Sequence, residues 1–76
     1  MEILSKQIQL LRRERGWTQA QLAREMGVSR SLVSAWELQT RSLFASNIVK
    51  LGKLFNVSLD WLLGMSNVRE RKTSKK

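Results

Sequence analysis

Residues 18–38 of the chain read TQAQLAREMGVSRSLVSAWEL, and this stretch decides the fold. It predicts two short helices joined by a turn of a few residues. Thr18 followed by Gln21 fits a capping box, in which two side chains pair with the free backbone groups at a helix start. Gly27 ends this helix because glycine supplies the positive φ of a sharp reversal. Ser29 is a suitable N-cap for the next helix, which we expect to run from residue 30 to about residue 38.

The side chains inside this stretch suit two helices packed at an angle. Ala23 is small where the second of them must approach closely, Val33 fills the angle between them, and Trp36 anchors the second helix to the rest of the chain. Taken singly, such residues are more often an ordinary cap or core position. Their combination at fixed offsets favours the known unit of two helices joined across a glycine-containing turn.

The rest of the chain also shows helical spacing. Leu4, Ile8 and Leu11 form one apolar stripe and predict a helix over about 3–15, ended by Gly16. A further helix is predicted over about 45–55, and a last short one between the cap Ser58 and Gly64. No stretch has the alternation of a strand. We therefore expect an all-α fold, a compact bundle of about five short helices. The large core candidates are Trp17, Trp36, Phe55 and Trp61.

Length and charge indicate one domain and a basic end. Seventy-six residues leave no room for two cores, so we assign residues 1–68 to one domain. Residues 69–76 are charged and small, and we predict a disordered basic tail there. The net charge is +8, and half of it falls in this tail. Charge alone does not decide between two interpretations: binding of an anionic partner, and a charged end that only keeps the chain soluble.

Composition excludes several classes of protein. The chain has no Cys and no His, which removes zinc sites, thiol chemistry and the usual nucleophilic triads. Its six acidic residues form no legible acid pair, and no glycine loop suited to phosphates is present. We expect no enzyme activity, no cofactor and no metal. There is no apolar run long enough to span a membrane and no leader at the start, so we expect a cytoplasmic protein without membrane contact.

The chain resembles the Cro and phage-repressor helix-turn-helix family, often called Xre-like. The resemblance covers about residues 5–64. Besides the stretch quoted above, it is carried by Ile8, Leu11, Arg12 and Gly16 of the first helix. It is also carried by the closing segment Phe55-Asn56-Val57-Ser58-Leu59-Asp60-Trp61-Leu62-Leu63. Two positions depart from the family pattern: Gln39 and Leu43 stand where a Gly and a Pro are common. The motif residues that carry structure are Arg12, Ala23, Gly27, Val33, Trp36 and Glu37.

The resemblance implies a lambda-repressor-like DNA-binding domain, with the third helix in the major groove and the start of the second at the DNA backbone. It implies an ion pair between Arg12 and Glu37 that ties the first helix to the third; two separately solvated charges are the alternative. It also assigns Gln19 to a phosphate. We take Ser29 and Arg41 as further backbone contacts, and a solvated loop charge is the alternative for Arg41.

Helical geometry indicates which side of the third helix faces outward. If Ser29, Val33 and Trp36 mark the buried side, then Ser31, Ser34, Ala35 and Leu38 point away from it, with Arg30 and Leu32 on the flanks. Small residues here suggest close approach to another surface, although an ordinary exposed face is also possible. Arg30 is suited to guanine, and Leu32 and Ala35 to a thymine methyl. The candidate base contacts are Arg30, Ser31, Ser34 and Ala35.

We therefore expect a sequence-specific regulator of transcription that binds double-stranded DNA, a repressor on an inverted-repeat operator, from a bacterium, phage or mobile element. By family resemblance we expect a homodimer, at least on DNA. The candidate dimer surfaces are the loop before the fourth helix and the region around Trp61. Leu38, Leu43 and Phe44 form an apolar cluster that serves either dimerisation or the core. An antitoxin that binds a toxin protein, and a protein-interaction module without DNA binding, are the alternative functions.

Overall fold

The computed structural model describes residues 2–71, which form five helices joined by short loops. The helices are α1 (Glu2–Glu14), α2 (Gln19–Met26), α3 (Arg30–Leu38), α4 (Ala45–Phe55) and α5 (Leu59–Leu62). The all-α prediction is confirmed, and α3 and α4 have the predicted bounds. Within these residues the only β pairing is an isolated antiparallel bridge between Val57 and Glu70.

Side-chain caps explain why the helices begin where they do. Thr18 and Gln21 form both hydrogen bonds of the capping box at the start of α2. Ser29 accepts a hydrogen bond from the backbone N–H of Leu32, and Ser58 accepts one from that of Trp61. Each cap satisfies a backbone donor that the first helical turn leaves unpaired. The cap residues of α2, α3 and α5 were therefore readable from the sequence.

The core lies between the five helices, and each of them contributes at least one buried apolar side chain to it. Trp36 is 1% exposed and Phe55 is 6% exposed, so these two predicted core aromatics are buried. Trp17 and Trp61 are only half-buried. The guanidinium of Arg15 lies 5.1 Å from the centre of the Trp17 ring, and that of Arg69 lies 5.2 Å from the Trp61 ring. At these distances the negative face of an indole ring attracts a guanidinium.

The α3–α4 loop begins with Gln39, where the family pattern commonly has a glycine. Gln39 takes the left-handed conformation, with φ of 64°, and its N–H donates to carbonyls at the end of α3. The helix therefore ends with the geometry that glycine usually provides, on a residue for which it is strained. The predicted apolar cluster around this loop splits: Leu43 packs against the core, while Leu38 and Phe44 are 70% and 74% exposed.

Close packing occurs at Gly52, in the middle of α4. A Cβ atom at this position would lie 2.7 Å from Cδ2 of Leu59 and 3.2 Å from the carbonyl oxygen of Val57. Both distances are shorter than ordinary contact. The chain that leads into α5 therefore crosses α4 where a side chain would obstruct it.

Contacts with the folded part continue just past residue 68, the predicted end of the domain. Arg69 forms two hydrogen bonds with the carboxylate of Glu14, and its carbonyl accepts from the N–H of Ser58 at 2.9 Å. Arg69 and Glu70 thus contact the folded part, because a paired guanidinium over the Trp61 ring and backbone pairing offset the entropy of ordering them. Residues 72–76 of the predicted tail lie outside the described residues.

Candidate nucleic-acid interface

The turn between α2 and α3 is built from residues 27–29. Gly27 has φ of 71°, and its N–H donates to the carbonyl of Arg24. The N–H of Val28 donates to the carbonyl of Ala23 at 3.0 Å. These bonds satisfy carbonyls at the end of α2 in the manner of a Schellman motif. The turn is therefore short and hydrogen-bonded, which holds α3 at a defined angle to α2.

A lysine from α4 supports the same turn. Nζ of Lys50 donates to the carbonyl of Met26 at 2.9 Å. A cation is favourable there because carbonyls accumulate at the C-terminal end of a helix. This contact was missed from the sequence, since nothing in the local pattern connects residue 50 with residue 26.

The buried side of α3 consists of Val33, Trp36 and Glu37. Ser29, expected on that side, is exposed instead. The correction has a simple cause: Ser29 is the N-cap, so its backbone is extended and its side chain does not follow the helical stripe.

The opposite side of α3 carries the candidate base contacts. Arg30 and Ser31 are exposed, whereas Ser34 and Ala35 are half-buried. None of the four is packed inside the domain. A partner that reaches α3 therefore meets the first turn most directly, and it must approach closely to touch Ser34 and Ala35.

The loop after α3 completes a shallow depression of about 440 Å³ on this side of the helix. The structure brings Arg41 to it, beside Ser31 and Ala35. Thr40 also lines it, with its backbone N–H bonded to the carbonyl of Ala35 at 2.9 Å. The sequence-based prediction did not include Thr40 among the site residues. The available signal was a hydroxyl residue two positions after the end of a helix. The lining residues are Ser29, Ser31, Leu32, Ala35, Thr40 and Arg41.

Beneath this surface, Glu37 joins three helices. Nε of Arg12 lies 2.7 Å from Oε2 of Glu37, and Nη2 lies 3.0 Å from Oε1, so the pair implied by the family resemblance is present as a bidentate contact. Arg12 also donates to the carbonyl of Trp17. Hydrogen bonding to Glu37 raises the pKa of Arg12 above its ordinary value. The pair is shielded, with the Glu37 side chain 4% exposed, and it fixes α1 to α3.

Gln19 has a partner inside the domain. Its Nε2 donates to Oε1 of Glu37 at 3.1 Å, which turns the side chain toward the interior. An amide nitrogen carries two hydrogens, so one donor remains for a second acceptor. Phosphate binding by Gln19, Ser29 and Arg41 stays a prediction, as does base contact by the residues of α3.

The described residues also bear on metal and membrane binding. Residues 2–71 contain no group of three or more His, Cys, Asp or Glu side chains placed to hold a metal ion. In the same part of the chain, no helix combines the length and apolar character that crossing a bilayer requires.

Comparison with known proteins identifies the family. A family model described as helix-turn-helix matches residues 8–62. The HTH-type transcriptional regulator ImmR of Bacillus subtilis (strain 168) is 31% identical over 68 residues, which cover 90% of this chain and 54% of that protein. A hypothetical transcription factor of Neisseria meningitidis serogroup B is 36% identical over 61 residues, 80% of this chain and 58% of that protein. The chain thus spans little more than half the length of these relatives.

Solved structures agree with the family match. The P22 c2 repressor, solved in complex with a synthetic operator, superposes with a TM-score of 0.76 at 27% identity, covering 87% of this chain and all of that chain. The fold found in residues 2–71 is therefore that of a phage repressor domain. The chain belongs to the helix-turn-helix family of the Cro and phage-repressor type, a family of DNA-binding transcription regulators and not a class of enzyme.

Proposed function

We propose that this chain binds double-stranded DNA sequence-specifically, with α3 in the major groove, and acts as a repressor on an inverted-repeat operator. The observation that carries the proposal is the surface of α3. Arg30 and Ser31 are exposed on its first turn, and Arg41 lies beside the same helix. The P22 repressor, which shares the fold, was solved with an operator. We place its action in the cytoplasm, where the DNA of a bacterium or an infecting phage lies.

The proposed contacts divide by chemistry. The guanidinium of Arg30 matches O6 and N7 of guanine with two hydrogen bonds, so it supplies the sharpest base preference. The hydroxyls of Ser31 and Ser34 make short or water-mediated contacts, and Ala35 makes apolar ones. Gln19, Ser29 and Arg41 are assigned to the DNA backbone, where a positive charge and helix N-termini favour phosphates.

Selecting bound duplexes from a random pool tests the proposal and yields half-site, symmetry and spacing together. On the selected duplex, Arg30→Ala should cost about 1–3 kcal/mol and relax specificity at one base position. Arg13→Ala is the matched control, because Arg13 is exposed on α1 and its loss changes the net charge equally. Equal weakening on every sequence would instead make Arg30 a phosphate ligand. Absence of duplex binding at low salt would overturn the proposal.

The salt dependence of binding reports phosphate contacts. Each neutralised phosphate contributes about 0.9 to the slope of log affinity against log salt. Removal of residues 72–76 takes away three lysines but leaves the contact between Arg69 and Glu14 in place. A smaller slope after this truncation would put the tail on DNA, and an unchanged slope would exclude it.

The proposal includes a homodimer on DNA, for which the loop before α4 is the favoured surface. Leu38, the last residue of α3, and Phe44, the cap of α4, flank this loop and are large, apolar and mostly exposed. The other candidate region is partly occupied, because Arg69 lies over the Trp61 ring. Phe44→Ser should weaken cooperative binding to a two-half-site duplex and leave binding to a single half-site unchanged, as measured by sedimentation and titration. Unchanged cooperativity would point to another surface.

The same exposed pair of Leu38 and Phe44 also supports a second candidate function, in which the domain holds a protein such as a toxin. Co-purification of one defined partner, lost in the Phe44→Ser variant, would favour this antitoxin type of regulator. Partner binding without any salt-sensitive duplex binding would favour an interaction module.

A further inference from the structure

Helix α4 holds α2 at both of its ends. At the start of α2, the ring of Trp17, which directly precedes the cap Thr18, packs against the ring of Phe55, with the ring centres 5.6 Å apart. At the end of α2, Nζ of Lys50 donates to the carbonyl of Met26 at 2.9 Å. Phe55 and Lys50 both belong to α4. The helix that precedes the turn is therefore fixed to α4 as well as to α3.

The contact at the end of α2 completes the hydrogen bonding around the turn. The N–H groups of residues 27 and 28 bond to the carbonyls of Ala23 and Arg24. These bonds leave the carbonyl of Met26, the last residue of α2, to another partner, and that partner is Lys50. A helix supplies no partner of its own for the carbonyls of its last turn. The side chain from α4 therefore does what the local backbone does not.

The hydrogen bond between Lys50 and Met26 lies where it can set the direction of α3. Only residues 27–29 separate the end of α2 from the start of α3 at Arg30. Leu51, the neighbour of Lys50 on α4, is fully buried, so the lysine extends from a part of the backbone that the core holds in place. A movement at Met26 would pass through this short turn into the angle of α3.

From these contacts we propose that Lys50 is a positioning residue for DNA binding. Its hydrogen bond to Met26 keeps α3 at the angle at which this helix enters the major groove. The inference rests on the proposed function and adds to it a residue outside the two helices of the motif. Base contacts require α3 at one angle, whereas non-specific binding comes from phosphate contacts. Loss of the hydrogen bond therefore lowers the affinity for a specific sequence in proportion to the fraction of molecules that still have this angle.

A direct phosphate contact is the competing role for the same side chain. The ammonium group of a lysine has three N–H donors, and Lys50 uses one of them on Met26. The salt dependence of binding distinguishes the two roles. A cation that neutralises a phosphate contributes about 0.9 to the slope of log affinity against log salt. A residue that only positions α3 contributes nothing to this slope.

Lys50→Met tests the proposal, because it keeps the length of the side chain and removes its donors. Affinity is measured for a duplex with one selected half-site and for a duplex of random sequence, each over a range of salt concentrations. We expect about tenfold weaker binding to the half-site, the order for losing one hydrogen bond from a charged group, with an unchanged salt slope. Lys53→Met is the matched control, since Lys53 is exposed on the same helix and its loss changes the net charge equally. The two variants should bind the random duplex equally.

Two binding results would overturn the positioning role. Equal weakening on both duplexes, with a slope smaller by about 0.9 than that of the natural sequence, would make Lys50 a phosphate ligand. A half-site affinity equal to that of Lys53→Met would show that the hydrogen bond has no effect on DNA binding. Lys50→Arg keeps a cationic donor and should restore the preference for the half-site. Absence of specific binding by the natural sequence would instead mean that the proposed function fails.

Hydrogen exchange tests the role of Lys50 in the free protein, whether or not a specific duplex is found. The N–H of Val28, bonded to the carbonyl of Ala23 at 3.0 Å, should exchange faster in Lys50→Met, while the amides of α1 keep their rates. Unchanged exchange at Val28 would contradict a role of Lys50 in holding the turn. Equal acceleration in α1 would indicate a general loss of stability and overturn the positioning role. If Lys50→Met does not fold, Lys50→Gln, which is neutral but polar, is measured in the same way.

Discussion

Replacing Gln39 with glycine should stabilise the domain. Gln39 has φ of 64° and ψ of 26°, a left-handed conformation that costs a residue with a Cβ about 1–2 kcal/mol. Glycine removes this cost, but it also loses more backbone entropy on folding, which offsets about 0.5–1 kcal/mol. The exposed side chain of Gln39 gives up no burial. The net gain is then about 0.5–1 kcal/mol, and the melting temperature should rise by about 2–8 °C for a domain of this size.

Thermal unfolding followed by circular dichroism measures this gain, with two controls. Gln39→Ala removes the long side chain but keeps the strained backbone, so its melting temperature should stay near that of the natural sequence. Gly16→Ala tests the same conformational penalty in the opposite direction. Gly16 has φ of 69°, and an added Cβ would meet nothing within 4 Å, so any loss comes from backbone strain alone. If Gly16→Ala destabilises while Gln39→Gly leaves the melting temperature unchanged or lower, the strain assigned to Gln39 is wrong.

Two further predictions concern the ion pairs. Glu37→Gln should destabilise the domain by about 3 kcal/mol, because it leaves the shielded Arg12 cation without its carboxylate. Urea unfolding measures this loss of stability. A loss below about 1 kcal/mol would show that the pair is energetically weak. Hydrogen bonding to Arg69 lowers the pKa of Glu14. The contact therefore stabilises the fold fully at pH values above the ordinary pKa of a glutamate, about 4.3. This stabilisation is lost as the pH falls through the lowered pKa. Glu14→Gln should therefore melt below the natural sequence at pH 7 and converge with it in acid, and an equal gap at both pH values would contradict the linkage.

Local patterns in the sequence were sufficient for the helices and for the turn that joins α2 to α3. Thr18 and Ser29 accept hydrogen bonds from backbone N–H groups three residues later, and Gly27 reverses the chain direction. These effects can be predicted without knowing the rest of the fold. The buried stripe of α3 followed from helical periodicity, except at Ser29, whose extended backbone lies outside that period. The family resemblance supplied the pair of Arg12 and Glu37, since two charges 25 positions apart carry no local signal of contact.

Other features of the site depend on contacts between residues distant in sequence. The amide of Gln19 turns to Glu37, 18 positions away, because α3 delivers that carboxylate beside the start of α2. Arg41 and Thr40 join the surface of α3 only through the left-handed turn at Gln39, a conformation that its residue type does not predict.

The sequence by itself therefore determined the five helices, their caps and the apolar stripes, since these depend on backbone groups and spacing within one or two turns. Tertiary structure alone decided that Arg69 pairs with Glu14, that Leu38 and Phe44 stay outside the core, and that Leu32, Ala35 and Arg41 line one depression. The physical reason is distance along the chain: a hydrogen bond to a neighbour is specified by two adjacent residue types, whereas a shared surface exists only after packing has set the angles between helices.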